Sequence, residues 1–405
     1  MLRDPATIRL RSAAITQAVA DGRSSRFLLD RSRLDTAAER VATLTRRRFP
    51  DLRIPFHSRW RHFEAGGVDR KARLDALLAD RGPAGRARAM FDLVVVSVLL
   101  DAGAGASWRY RDADGREYAR SEGLGVATLQ AFLDGRFAAG PDERLMVDAH
   151  ALQHLQAGAL REVFQVGADN PLVGIDGRLG LMQRLGVALQ AEARRGGGEA
   201  RPAILFDRIT ADGTRSSVTA ADVLREVLRV LGPVWTSGST VAGVLAGDVW
   251  PHRFAGAAGP GGRDVVTAGW VPFHKLSQWL TYSLLEPLQW AGIEVTGLDA
   301  LTGLPEYRNG GLLLDTGVLL PRNSRDLEGR LKPGDEFVVE WRALTVTLLD
   351  ELADRVRALL GRSAAEMPLA CVLEGGTWAA GREIAAERRP GALPPVTIDS
   401  DGTVF

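Results

Sequence analysis

The chain has 405 residues, 45% of them apolar and 25% charged, with a formal net charge of +1. These values exclude a disordered or fibrous chain, and with no dense basic block beyond Arg46-Arg47-Arg48 they speak against a dedicated nucleic-acid binder. The only cysteine, Cys371, leaves no intrachain disulfide or Cys-based zinc site; without an apolar signal core or a run of ~18 apolar residues, a soluble cytoplasmic protein with no membrane partner is expected.

In chain order, residues 1–50 read as an N-terminal helical segment, with Ile15 and Val19 at helical spacing. Residues 51–405 read as one large helical domain with a short β-containing tail from about 365. Within it, IPFHSRWRHFEAGG (54–67) reads as a loop. His57, Arg59, Trp60 and Arg61 there are candidates for binding a ligand; an ion-paired loop is the competing reading. A helix is expected from about 85 to 100. The turn after it, DAGAG, has the look of a nucleotide-binding glycine turn but lacks a third glycine. Gly103 ending a buried helix at C′ is the plainer reading; a glycine turn shaping a pocket, with Asp101 at its lip, is the alternative. SWRYRDADGREYARSE (107–122) predicts a hairpin with Asp114-Gly115 at its turn.

Helical patterns follow at 124–134, 143–165 and 177–194, and ARRGGGEARP (193–202) reads as a loop. His150 and His154 share one helix face, without the intervening acid of a metalloprotease motif. Thr219 with Asp222 predicts an N-cap for a helix to Leu231. After the Gly/Pro-rich stretch 237–264, in which Trp250 and His252 form a candidate pocket wall, a helix is predicted over 271–290. At 100° per residue its Phe273, Leu276, Leu280, Leu284 and Leu288 make an apolar face, and Lys275, Gln278, Tyr282 and Glu286 fall within about 80° on another. Lysine is rare here (Lys71, Lys275 and Lys332 only), which marks Lys275 in a chain that otherwise uses arginine. LTGLPEYRNGGLLLD (301–315) then sets Glu306, Arg308 and Asp315 in a polar knot between apolar ends. A last strong helix is predicted from about 340 to 360, and the tail predicts a strand and an Asp-Gly turn.

HSRWRHFEAGG, DAGAG, RSEGLGV, VWPH, PFHKLSQWLTYSLLEPL, LTGLPEYRNGGLLLDTGVL, LEGGTWAAGREIA and the terminal DGTVF resemble the uracil catabolism protein four family from about residue 40 to the end. That resemblance implies a place in uracil breakdown through ribosyl-urea-type intermediates. A more distant similarity joins KLSQWLTYSLLEPL, LTGLPEYR and VEWRALTVTLLDEL to the queuosine salvage nucleosidases, which have a helical, DNA-glycosylase-like fold and hydrolyse an N-glycosidic bond. Lys275 and Gln278 match that family's lysine and glutamine. Glu306-Tyr307-Arg308 matches its Asp-Tyr-Arg, and Glu340-Trp341-Arg342 its Glu-Ile-Arg. The family's first carboxylate falls at Ser283, and Glu286 stands one turn beyond Tyr282 as a substitute.

The resemblances together imply a mainly α hydrolase of an N-ribosyl bond, needing no cofactor and no metal, with a ribosyl-urea-like or pyrimidine-derived nucleoside or nucleotide as substrate, and a monomer or homodimer. Glu306, Arg308 and Asp315 would act at the anomeric centre. Lys275, Gln278, Tyr282, His274, His252, Trp250, His57, Arg59, Arg61, Trp60 and Asp101 would bind substrate. A non-catalytic binding or scaffold protein, or a C–N hydrolase of an acyl-urea, are the alternatives.

Overall fold

The computed structural model describes residues 1–101, 103–105, 107–140, 144–235 and 238–399. The chain is mainly helical, as its periodicity predicts. Among the described residues no strand exceeds three residues and every sheet has two strands. The chain divides into two compact units, one comprising Met1–His57, Gly238–Gln278 and Gly297–Ser400, the other Ser58–Ser237 with Trp279–Thr296.

The first unit is built on the helix Glu336–Leu360. Its start is four residues earlier than its apolar stripe indicates, and it ends on Gly361 in the left-handed region (φ 64°), where glycine carries no Cβ penalty. Helices Pro5–Ala20 and Leu34–Arg48 pack on it. Ile8 and Ile15 of the first of these, Val271 and Phe273, and Val339, Ala343 and Val346 form one core cluster, in which each large side chain contributes about 1.5–3 kcal/mol on leaving water. The helices Pro5–Ala20 and Leu34–Arg48 are separated by a strand, Phe27–Leu29, paired antiparallel with Leu319–Pro321. The helical reading of 1–50 holds for these two helices and fails at 27–29, where strand pairing to a distant segment overrides local propensity. The helix Tyr307–Asp315 lies against Trp378–Arg388 and the Glu336–Leu360 helix. Two glycines permit the approach. A Cβ on Gly381 would run into the Arg308 carbonyl oxygen, and one on Gly310 would stand 2.6 Å from the Trp341 ring.

Segment 271–290 is not helical throughout. Trp270–Pro272 is a strand paired antiparallel with Val249–Pro251, and His274 takes a positive φ of 47° before the helix Lys275–Trp290 begins. Pro287 lies inside that helix, near its far end. A tail strand is present: Thr397–Ile398 pairs in parallel with Arg330–Leu331. The expected Asp-Gly turn at 401–402 lies outside the described residues, as does the terminal DGTVF.

The second unit centres on Pro83–Leu99, with proline at its first position and residues Ala89 to Leu99 buried all round. The helix expected from about 85 to 100 is present, and it leaves no strand before DAGAG for a nucleotide-binding turn. Gly103 is not the C′ residue either, since the helix closes at Leu100 in right-handed geometry. The predicted hairpin forms, with Tyr110 opposite Tyr118. Thr219 caps Ala220–Leu231 as predicted, its side chain accepting from the Asp222 amide at 3.1 Å. The expected helix over 143–165 is instead two, Ala149–Gln153 and Ala157–Val163. Asp148 caps the first, and extended backbone at Gln156 separates it from the second. The 54–67 loop contains a short helix, Arg59–Phe63.

Candidate functional site

The knot at 301–315 is a helix start. Glu306 is the N-cap residue of Tyr307–Asp315, with extended backbone (φ −127°, ψ 173°). Its Oε2 accepts from the Arg308 amide at 2.8 Å and its Oε1 from the Asn309 amide at 2.6 Å. Shorter side chains commonly cap with one oxygen; the extra methylene lets both oxygens of this carboxylate serve. Each oxygen keeps a second acceptor position. The residue is 7% exposed. Burial pushes its carboxyl above the ordinary glutamate range, against the opposing pull of the two amides and of the Lys275 and Arg308 charges.

Gln278 steadies the segment leading into Glu306. Its side-chain oxygen accepts from the Thr302 amide at 2.9 Å, and its NH2 donates to the Thr302 hydroxyl. The Arg308 guanidinium donates to the Ala392 carbonyl at 2.8 Å and stacks on Tyr307, so this residue holds Glu306 through its backbone amide. Asp315 takes a forked pair from Arg389. It lies nine residues along the helix from Glu306, about 13 Å of axial rise, and serves a different place.

A carboxylate that sequence reasoning missed lies in the same unit. Asp248 accepts from Arg342 at 2.7 and 2.8 Å, from Trp250 Nε1 at 2.7 Å and from the Lys275 amide at 3.0 Å. Burial alone would raise its carboxyl; the Arg342 charge and these hydrogen bonds outweigh that and hold it below the aspartate range. Arg342 also donates from Nε to the Pro305 carbonyl at 3.2 Å, next to Glu306 in the chain. Nothing local in GDVWPH signals this, because the partner is 94 residues away. Trp250, a predicted pocket wall, thus has its indole N–H on Asp248, and its ring packs on Gly334.

The three predicted histidines of this unit have separate partners. His274 Nε2 lies 2.8 Å from the Leu2 carbonyl and is 5% exposed; burial holds its pKa below the ordinary value. His252 Nε2 lies 3.2 Å from Glu340 Oε2, both side chains fully buried, and the other Glu340 oxygen accepts from Ser24. His57 Nδ1 lies 2.9 Å from Glu374 Oε2 in the π-helical turn Leu373–Thr377, whose glutamate also binds Arg48 at 3.0 Å.

The remaining predicted residues belong to the second unit. Arg59 is wholly buried, with its guanidinium on Asp101 at 3.0 Å, Ser97 at 2.8 Å and the Ser121 carbonyl at 3.1 Å. Burial lowers its pKa, with Asp101 and Glu122 opposing. Trp60 donates to the Ser283 carbonyl at 3.0 Å. Ser283, which the nucleosidase resemblance sets at the place of a carboxylate, accepts through Oγ from the Arg59 amide at 2.9 Å. Glu286 takes Ser58 at 2.5 Å and Arg61 at 2.8 Å. Tyr282 is fully buried. The polar stripe is therefore divided, with Lys275 and Gln278 in the first unit and Tyr282 and Glu286 in the second. Among the described residues no three His, Cys, Asp or Glu side chains gather as a metal site, and no helix is long and apolar enough to cross a membrane.

A family model described as "Protein of unknown function (DUF1688)" matches residues 1–405. The chain belongs to the DUF1688 family. It is 38% identical over 407 residues to "Protein urg3" of Schizosaccharomyces pombe, an alignment covering 98% of this chain and 96% of the relative. It is 36% identical over 417 residues to "Uracil catabolism protein 4" of Lachancea kluyveri, covering 95% of this chain and 93% of the relative. Membership of DUF1688 thus extends over the whole chain, both units included.

Proposed function

We propose that this protein acts in uracil catabolism by hydrolysing the N-ribosyl bond of a ring-opened pyrimidine nucleoside or nucleotide such as ribosyl-urea, on a helical scaffold of the DNA-glycosylase-like kind. The relative named for uracil catabolism, aligned over 95% of this chain, supports the pathway. The observation that carries the reaction is Glu306, a buried carboxyl with acceptor positions left over, raised in basicity and under the charge of Lys275.

In this reading the C1′–N bond breaks with its electron pair moving to the urea nitrogen, while water attacks C1′ through an oxocarbenium-like state. Glu306 stabilises that positive charge and, in its ionised form, takes a proton from the attacking water; a raised pKa strengthens that carboxylate as a base. The departing nitrogen receives a proton in turn, which returns Glu306 to its carboxylate form. Lys275 donates to the urea carbonyl and favours the leaving group's charge. Ribose and urea are the products. Acid–base help of this kind is worth ~10²–10⁴ in rate.

The test is incubation of the purified chain with ribosyl-urea, with and without a 5′-phosphate, and assay of free urea and ribose. Release of both, abolished in a folded Glu306→Gln variant, is the expected result. Tight binding without release from any ring-opened intermediate would sink the hydrolase and leave a binding protein.

A further inference from the structure

Asp248 has no acceptor position to spare. A carboxylate has about four lone-pair sites, and four N–H groups fill them: two from Arg342, one from Trp250 and the Lys275 amide. It is therefore unsuited to taking a proton from water, and its chemistry is positional. Its main-chain oxygen adds to this by accepting from the Phe273 amide at 2.9 Å. The donors come from three separate pieces of the chain: the strand Val249–Pro251, the first turn of Lys275–Trp290, and the Glu336–Leu360 helix. Arg342 carries the connection to a fourth, through the Pro305 carbonyl that precedes Glu306.

We propose that Asp248 is the positioning residue of the Glu306 site: it fixes Lys275 at the start of its helix and, through Arg342, the Pro305–Glu306 peptide, so that the lysine and the glutamate stand in register. This rests on the reading of Glu306 and Lys275 as the reactive pair. The charges acting on Glu306 are Lys275 and, from its own helix, Arg308. The Trp378–Arg388 helix, packed on the same element, is followed by Arg389, which goes to Asp315. The Glu336–Leu360 helix supplies Arg342, neutralised by Asp248. Asp248 thus sets one of the two opposing charges on Glu306 by position rather than by contact.

The experiment has two arms on the full chain. In the first, the unaltered protein, Asp248→Asn, Glu306→Gln and the double variant are melted at neutral pH. A shared network gives a double variant whose Tm change departs clearly from the sum of the two single changes, since interacting sites do not add. Additive changes place Asp248 apart from Glu306 and overturn the proposal. This arm needs no turnover, so it stands or fails independently of the glycosidic reading. In the second arm, with ribosyl-urea turnover, Asp248→Asn lowers kcat roughly 10- to 100-fold with KM little changed. It also displaces the pH–rate profile, and Asp248→Glu restores part of the rate. A variant that melts earlier but keeps its kcat and pH profile overturns it. Should Asp248→Asn fail to fold, Asp248→Asn with Arg342→Gln leaves no unpaired buried charge and is read by the same kcat and pH criteria.

Discussion

Glu306 and Asp248 are two carboxylates of one unit whose surroundings act in opposite directions. Burial raises Glu306, and stabilisation from its protonation is complete below the ordinary glutamate value of 4.5 and lost as pH rises through the folded value. Asp248 is lowered, so its stabilisation is present above the ordinary aspartate value of 3.8 and lost as pH falls through the folded value. Denaturant unfolding at pH values rising from the ordinary glutamate value of 4.5 should therefore show wild type losing stability relative to Glu306→Gln. A difference independent of pH would contradict the raised carboxyl. At fixed neutral pH, Asp248→Asn strips the charge from beside Arg342, which is 1% exposed at its side chain. Breaking a buried pair this way costs about 3–5 kcal/mol, and urea midpoints will read it. Glu306 was legible as a candidate because a carboxylate, a guanidinium and an amide crowd one turn. Its capping role was not, since that depends on where the helix begins.

At the scale of elements, the close contacts of Tyr307–Asp315 rest on two missing side chains. Gly310→Ala drives a Cβ into the Trp341 indole, a ring held by its own N–H on the Gly310 carbonyl at 3.1 Å. A loss of about 1–3 kcal/mol is expected from overpacking, seen as a lower Tm. Gly381→Ala meets backbone rather than a side chain and should cost at least as much; a neutral result for both would contradict this packing. Helices with strong periodicity or a cap were legible: Ala220–Leu231 starts at its predicted residue, because Thr219 and Asp222 form a local hydrogen bond. The start of Lys275–Trp290 was not. Apolar residues 271–273 continue the helical pattern, yet 270–272 pair as a strand with 249–251, and Asp248 receives the Lys275 amide instead. Periodicity cannot register a partner that lies some 20 residues upstream in a glycine-rich stretch.

For the whole molecule, one thiol offers a clean probe. Cys371 is 5% exposed in the first unit, with Sγ 3.2 Å from the Ile54 carbonyl. Native protein should resist an excess of thiol reagent and yield one reactive group per chain in denaturant, so the labelling rate reports opening of that unit. Rapid labelling of the native chain would contradict its burial. Composition, the single cysteine and the mainly helical class were determined by the sequence alone, because propensity, capping and periodicity act over a few residues. Tertiary structure decided which polar groups meet. Asp248 finds Arg342 across 94 residues, His57 finds Glu374 across 317, and Arg59 is taken up inside the second unit by Asp101, Ser97 and the Ser121 carbonyl. Burial forces each such group to find a partner, and the partner is chosen by the fold that brings distant segments together rather than by the neighbours each has in the chain.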